Sequence, residues 1–185
     1  MKLATHNSAT GERSKNLLHS FFSIFAKCQD KTIREQYEAG VRYFDLRVDK
    51  DLNLCHGLWK ADKNLADIMT EMAKFEEEVY VSVCIEREYS WNVYDDLCEK
   101  IRKAINLRAK GKAKLVYIAR KKPEWSTLVA YRSVKVMTNY LSVPTPKQYM
   151  TLHFKDWRRY IPIPRVLKKI TPILEYDGYV MRDFV

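Results

Sequence analysis

Cysteine is sparse in this 185-residue chain, and its placement is uninformative for metals. Cys28, Cys55, Cys84 and Cys98 form no CxxC pair, and no Cys/His spacing matches a zinc site. That excludes a structural zinc module and leaves four small apolar side chains of a reduced protein. Long hydrophobic runs are missing as well. The run FFSIF at residues 21–25 is far too short to span a bilayer. No repeat, low-complexity tract or linker interrupts the sequence, so residues 1–185 read as one domain with a sizeable core. No signal peptide is visible, which makes the cytoplasm the expected location, or the exterior if a leader has been removed.

Acidic residues are also in deficit. Asp and Glu number 23 against 33 Lys and Arg, a formal net charge of +10. Such an excess suits an acidic partner: nucleic acid, an anionic membrane surface or a phosphorylated substrate. A generic solubilising surface is an equal alternative. Hydrophobic content of 46% and charged content of 30% place the chain among globular proteins rather than disordered ones.

What the sequence does contain is an alternation of strand-like and helix-like segments, the signature of α/β with a parallel sheet. Residues 2–6 are the first strand. KTIREQYEAG (31–40) is a short helix with a capping box, Thr32 at the cap and Glu35 three residues on. Strands follow at 41–48 and 52–57, then an amphipathic helix over 62–78 with Leu65, Ile68, Met69, Met72 and Phe75 on one face. A strand at 79–86, a helix at 91–109, a strand at 114–120 and a last strand at 179–184 complete the reading. Prolines break the stretch 121–178.

Within 41–48, Phe44, Leu46 and Val48 point one way, and Tyr43, Asp45 and Arg47 the other. In 79–86 the valines and Ile85 oppose Tyr80, Ser82, Cys84 and Glu86. One face can receive helices, while the other becomes polar towards the strand's C-terminal end. A closed parallel barrel with its site at that mouth requires this pattern, whereas an open doubly wound sheet wants both faces apolar.

The polar residues at these strand ends are His6, Asn7, Asp45, Arg47, His56, Glu86, Arg120 and Asp183. A barrel would gather them. Two histidines, carboxylates and arginines suit phosphodiester cleavage: one histidine takes a proton, the other gives one, and an arginine steadies charge on the phosphorus oxygens. Singly, each has a plainer reading. His6 alone would more often be a hydrogen-bonded structural histidine. Asp45 and Arg47 could form an ion pair on one strand face, His56-Gly57 a turn, and Asp183 an exposed terminal acid. Their joint occurrence at successive strand ends favours the catalytic reading.

In order and spacing, THNSATG (5–11), TIREQYEAGVRYFDLRV (32–48) and LNLCHG (52–57) resemble the catalytic X region of phosphatidylinositol-specific phospholipase C. The likeness is specific over residues 3–58, looser through 81–89 and 111–120, and returns at 178–185. It implies a compact, distorted TIM-type (β/α) barrel with an abbreviated second half. It also implies a phosphodiesterase that forms a cyclic phosphate by attack of a neighbouring hydroxyl. Carried over, His6 is the general base and Asp183 orients it. His56 is the general acid with Asp45 in support, and Arg47 contacts the phosphate. Asn7, Glu86 and Arg120 would touch substrate, Arg120 at the inositol ring.

The resemblance also bears on cofactors. In the calcium-dependent branch an acid stands where Arg47 is, so Arg47 implies catalysis without metal. Asn7 and Glu86 match the calcium branch instead, and with Asp45 they are the ligands if calcium is used. The expected partner is a phospholipid or its headgroup, with peripheral contact to anionic membrane and no nucleic acid. Trp59, Trp91 and Trp125 follow strands and would lie on loops at the mouth, at a lipid interface or filling gaps between loops and helices. Two other functions fit less well. One keeps the fold but acts on a non-inositol or soluble glycerophosphodiester. The other is an inactive basic module that binds membrane or nucleic acid.

Overall fold

β2 is the organising strand of an eight-stranded sheet with helices packed against it. The computed structural model describes residues 2–5, 7–87, 89–120, 174–176 and 179–182. β1 (Lys2–Thr5) leads into a short 3-10 turn, Ser8–Gly11, and helix α1 (Leu17–Ala26). Helix α2 (Ile33–Glu38) precedes β2 (Val41–Val48), and a hairpin of β3 (Asn53–His56) and β4 (Trp59–Asn64) follows. Helix α3 (Leu65–Met72), β5 (Val79–Ile85), helix α4 (Trp91–Arg108) and β6 (Ala113–Arg120) come next. β7 (Leu174–Tyr176) and β8 (Tyr179–Arg182) are antiparallel to one another.

β2 pairs in parallel with β5 along Tyr43–Val48, and on its other edge with β1 as far as Phe44. Beyond that point the same edge is taken up by β3, antiparallel, at Val48. β6 extends the sheet past β5, and β8 joins β1 in parallel. The parallel strands β1, β2, β5, β6 and β8 therefore all end on one side of the sheet. This is an α/β fold with a mixed sheet. A closed barrel is not seen among the described residues.

Local chemistry explains these elements. α2 carries the expected capping box: Glu35 N–H donates to Thr32 Oγ1, and Glu35 accepts from the Thr32 N–H. Gly40 then ends the turn at φ +94°, a conformation glycine adopts at little cost. Phe44, Leu46, Val48, Val81, Val83 and Ile85 form the core with Leu65, Ile68, Met69 and Met72 of α3 and Leu97, Ile101 and Ile105 of α4.

The structure departs from the sequence expectation in three places. The helix expected over 62–78 is only Leu65–Met72, because WKADKN is a strand whose alternating Trp59 and Ala61 are buried. A second capping box, Asn64 with Asp67, sets that helix start. Helix α1 was not expected. Its apolar residues Leu17, Leu18 and Phe21 are exposed rather than buried, while Asn16 caps it by accepting the His19 N–H at 3.0 Å. Finally, Trp59 opens a strand rather than lying on a loop, and of its two expected roles the gap-filling one holds. It is 1% exposed and donates its indole N–H to Ser14 Oγ at 2.9 Å, filling the gap between hairpin and loop. Trp91 is exposed, and Trp125 lies outside the described residues. No helix among the described residues is long and apolar enough to cross a membrane.

Candidate active site

At the C-terminal ends of β1, β2 and β5 the polar residues converge. Asn7 sits just after β1 in the left-handed region, at φ 46°, which asparagine tolerates better than most residues. Its buried amide reaches in two directions. Nδ2 lies 3.4 Å from His56 Nε2 and 3.5 Å from Cys28 Sγ. The Asn7 backbone N–H donates to Asp45 Oδ2 at 3.2 Å.

His56 closes β3 beside it. Its Nδ1 is 2.6 Å from the Ala26 carbonyl. A carbonyl can only accept, so Nδ1 carries the proton, and in the neutral ring Nε2 presents a lone pair towards Asn7. The end of α1 thus sets the ring tautomer and aims Nε2 into the site.

Arg47 lies between two carboxylates. Its Nη1 is 3.4 Å from Glu86 Oε2, and its Nε is 3.8 Å from Asp45 Oδ2. Burial pulls the Arg47 pKa down, but Asp45, then the Cys84 thiol, Glu86 and the Cys28 thiol outweigh it, holding the guanidinium above its ordinary range. Asp45 also accepts from Ser82 Oγ at 3.3 Å, as the register pairing of Asp45 with Ser82 dictates. Glu86 is 2% exposed and accepts the Gly57 N–H at 2.8 Å.

Five of the expected residues are therefore brought together: Asn7, Asp45, Arg47, His56 and Glu86. Asp45 reaches His56 through Asn7, since its oxygens are directed at the Asn7 N–H, Ser82 and Arg47. Arg120 ends β6 at the same side of the sheet. His6 and Asp183 lie outside the described residues.

Two residues of the site had no clear sequence signal. Thr10 is a hub: its hydroxyl donates to the Asn7 carbonyl at 2.8 Å and accepts the N–H groups of Cys28 at 2.9 Å and Gln29 at 3.0 Å. That places Cys28 against Asn7. None of the four cysteines is disulfide-bonded. Among the described residues no group of three or more His, Cys, Asp or Glu is arranged to hold a metal ion.

The fold has a counterpart among known structures. A phosphatidylinositol-specific phospholipase C from Listeria monocytogenes superposes with a TM-score of 0.54 at 15% identity, over 99% of this chain and 87% of that one. The two chains share a fold. A structure of S. aureus phosphatidylinositol-specific phospholipase C, solved in work on its membrane binding, superposes with a TM-score of 0.46 at 19% identity, over 63% of this chain and 46% of that one. No protein-family model and no curated protein sequence matches the chain. The likeness read from residues 3–58 to this phospholipase family thus holds at the level of the fold.

Proposed function

We propose that this chain is a phosphodiesterase with a distorted TIM-type barrel, cleaving an inositol-type phospholipid by attack of a neighbouring hydroxyl. The observation that carries the reading is the linking of Arg47 to the turn after His56 by Glu86 at the strand ends, with the Asn7 amide against the His56 ring. In this reading His6, oriented by Asp183, takes the proton from the attacking hydroxyl. The new O–P bond forms as the bond to the leaving alcohol breaks. His56, in its imidazolium form, gives its Nε2 proton to that alcohol, leaving a cyclic phosphodiester. Ala26 keeps Nδ1 protonated throughout. Arg47 steadies the charge that builds on the non-bridging oxygens, and Arg120 would meet the headgroup.

Calcium fits this site poorly. The oxygen donors it would use, Asn7, Asp45 and Glu86, share their neighbourhood with the Arg47 guanidinium, a fixed cation that repels a second one.

A lipid is favoured over a soluble diester by the surface next to His56. Leu58, two residues on, is exposed together with Leu17, Leu18 and Phe21 of α1, and Leu17 is 90% exposed. His19 Nδ1 on the Leu58 carbonyl at 2.9 Å holds the two pieces together. Exposed Arg13 and Lys15 flank them, an arrangement suited to an anionic bilayer.

The test is turnover of phosphatidylinositol vesicles and of glycerophosphoinositol, with and without EGTA, read by phosphorus NMR. A cyclic phosphate from vesicles, unchanged by EGTA and abolished in His56→Ala, is expected. Activity that survives His56→Ala overturns the mechanism. Binding to vesicles or nucleic acid without any turnover would make the chain a basic binding module instead.

A further inference from the structure

Glu86 does something the reaction scheme does not use. It is buried, and its two oxygens point at different parts of the site. Oε1 accepts the Gly57 N–H at 2.8 Å, at the hairpin turn directly after His56. Oε2 lies 3.4 Å from Arg47 Nη1. Its own backbone is fixed where β5 leaves β2, through the Glu86 N–H on the Val48 carbonyl at 2.9 Å. One carboxylate therefore spans the turn that carries His56 and the guanidinium of Arg47.

Among the described residues the ion pairs around it are unequal in charge. Arg47 brings one positive charge, while Asp45 and Glu86 bring two negative ones within 4 Å of it. An anionic phosphodiester approaching Arg47 meets that surplus. At 3.4 Å the Arg47–Glu86 contact is longer than a strong charged hydrogen bond, so a phosphate competes with Glu86 for Arg47.

We propose that Glu86 is a positioning residue with two separable effects. Through Gly57 it sets where His56 stands relative to Arg47. Through its charge it holds down the affinity of Arg47 for phosphate, which keeps an anionic product from lodging there. The second effect rests on the reading of Arg47 as the phosphate contact.

Two substitutions separate the effects in the full chain. Glu86→Gln keeps an oxygen for the Gly57 N–H and removes the charge. Glu86→Ala removes both. Inorganic phosphate is titrated into wild type and each variant, followed by the His56 ring resonances, and kcat and KM are measured on phosphatidylinositol vesicles. Removing one like charge beside a bound anion should tighten phosphate binding about tenfold in both variants. Glu86→Gln should lower KM, and its kcat should fall far less than that of Glu86→Ala. Glu86→Ala should lower kcat by about 10²-fold, the usual loss when a reacting group is displaced by about an ångström.

Phosphate affinity that is unchanged or weaker in Glu86→Gln overturns the proposal, and so does an equal kcat in the two variants. Should Glu86→Ala fail to fold, the phosphate titration of Glu86→Gln still decides. That titration needs no turnover. If wild type cleaves no phosphodiester, the proposed function fails, while tighter phosphate binding in Glu86→Gln would still uphold the role of Glu86.

Discussion

Gly11 has no room for a single methyl group. A Cβ built there lies 1.8 Å from the Lys31 carbonyl oxygen and 2.5 Å from its carbon, where real Cβ contacts essentially never fall under 3.0 Å. Gly11→Ala therefore forces the backbone at Lys31 and the 3-10 turn apart by more than 1 Å. The obstacle is main chain, so no rotamer change relieves it. Gln36 Nε2 bonds both the Lys31 and Ser8 carbonyls at 2.7 Å, and parting them breaks one of these. Overpacking costs about 1–3 kcal/mol, and the lost hydrogen bond adds about 1 kcal/mol. A total of about 3 kcal/mol lowers the melting temperature of a chain this size by roughly 6–12 °C. Thermal unfolding followed by circular dichroism measures this. A midpoint within about 2 °C of wild type would mean the turn and Lys31 are not held as described.

Two further outcomes follow from other parts of the molecule. Burial raises the Asp49 pKa, but Lys60 at 2.6 Å, Asn53 and the N–H groups of Asp51 and Asn53 outweigh it and hold the carboxyl below its usual range. Its stabilisation is thus present above the unfolded pKa of about 3.9 and is lost as pH falls through the lower folded value. Asp49→Asn should therefore melt well below wild type at neutral pH and approach it in strong acid; an equal deficit across the pH range would contradict this. On α1, replacing Leu17 and Phe21 together with serine exposes no core. Each large apolar side chain contributes about 1.5–3 kcal/mol on burial, so partition onto anionic vesicles should fall by more than tenfold while the melting temperature holds. Unchanged sedimentation with vesicles would remove α1 from the interface.

Much of this was legible in the sequence where local chemistry and burial agree. Thr32 and Glu35 announced α2, and the alternation of Phe44, Leu46 and Val48 against Asp45 and Arg47 gave both the strand and the polar face of the site. The gathering of Asn7, Asp45, Arg47, His56 and Glu86 followed from strand ends lying side by side. What escaped was set by contacts distant in sequence. Trp59 fills a gap, as one of its two readings has it, but its place on β4 and its Ser14 partner depend on the fold. α1 was missed because Phe22 and Ala26 face the core while Leu17, Leu18 and Phe21 face outwards, so apolar residues sit on both sides of it. The link from Asp45 to His56 through Asn7, and the role of Thr10, depend on backbone groups that no side-chain pattern reveals.

The parallel pairing of residues 2–5 with residues 179–182 has a consequence for how the chain is born. During synthesis β1 can dock on β2 early, but its second edge stays bare until residues 179–182 have emerged. An unpaired parallel edge at the centre of a nascent sheet is slow to close and open to wrong partners. Strand completion, and with it the settled position of the segment after β1, is therefore a late event. Losing residues 179–182 would strip the first strand of a partner as surely as it removes β8 itself.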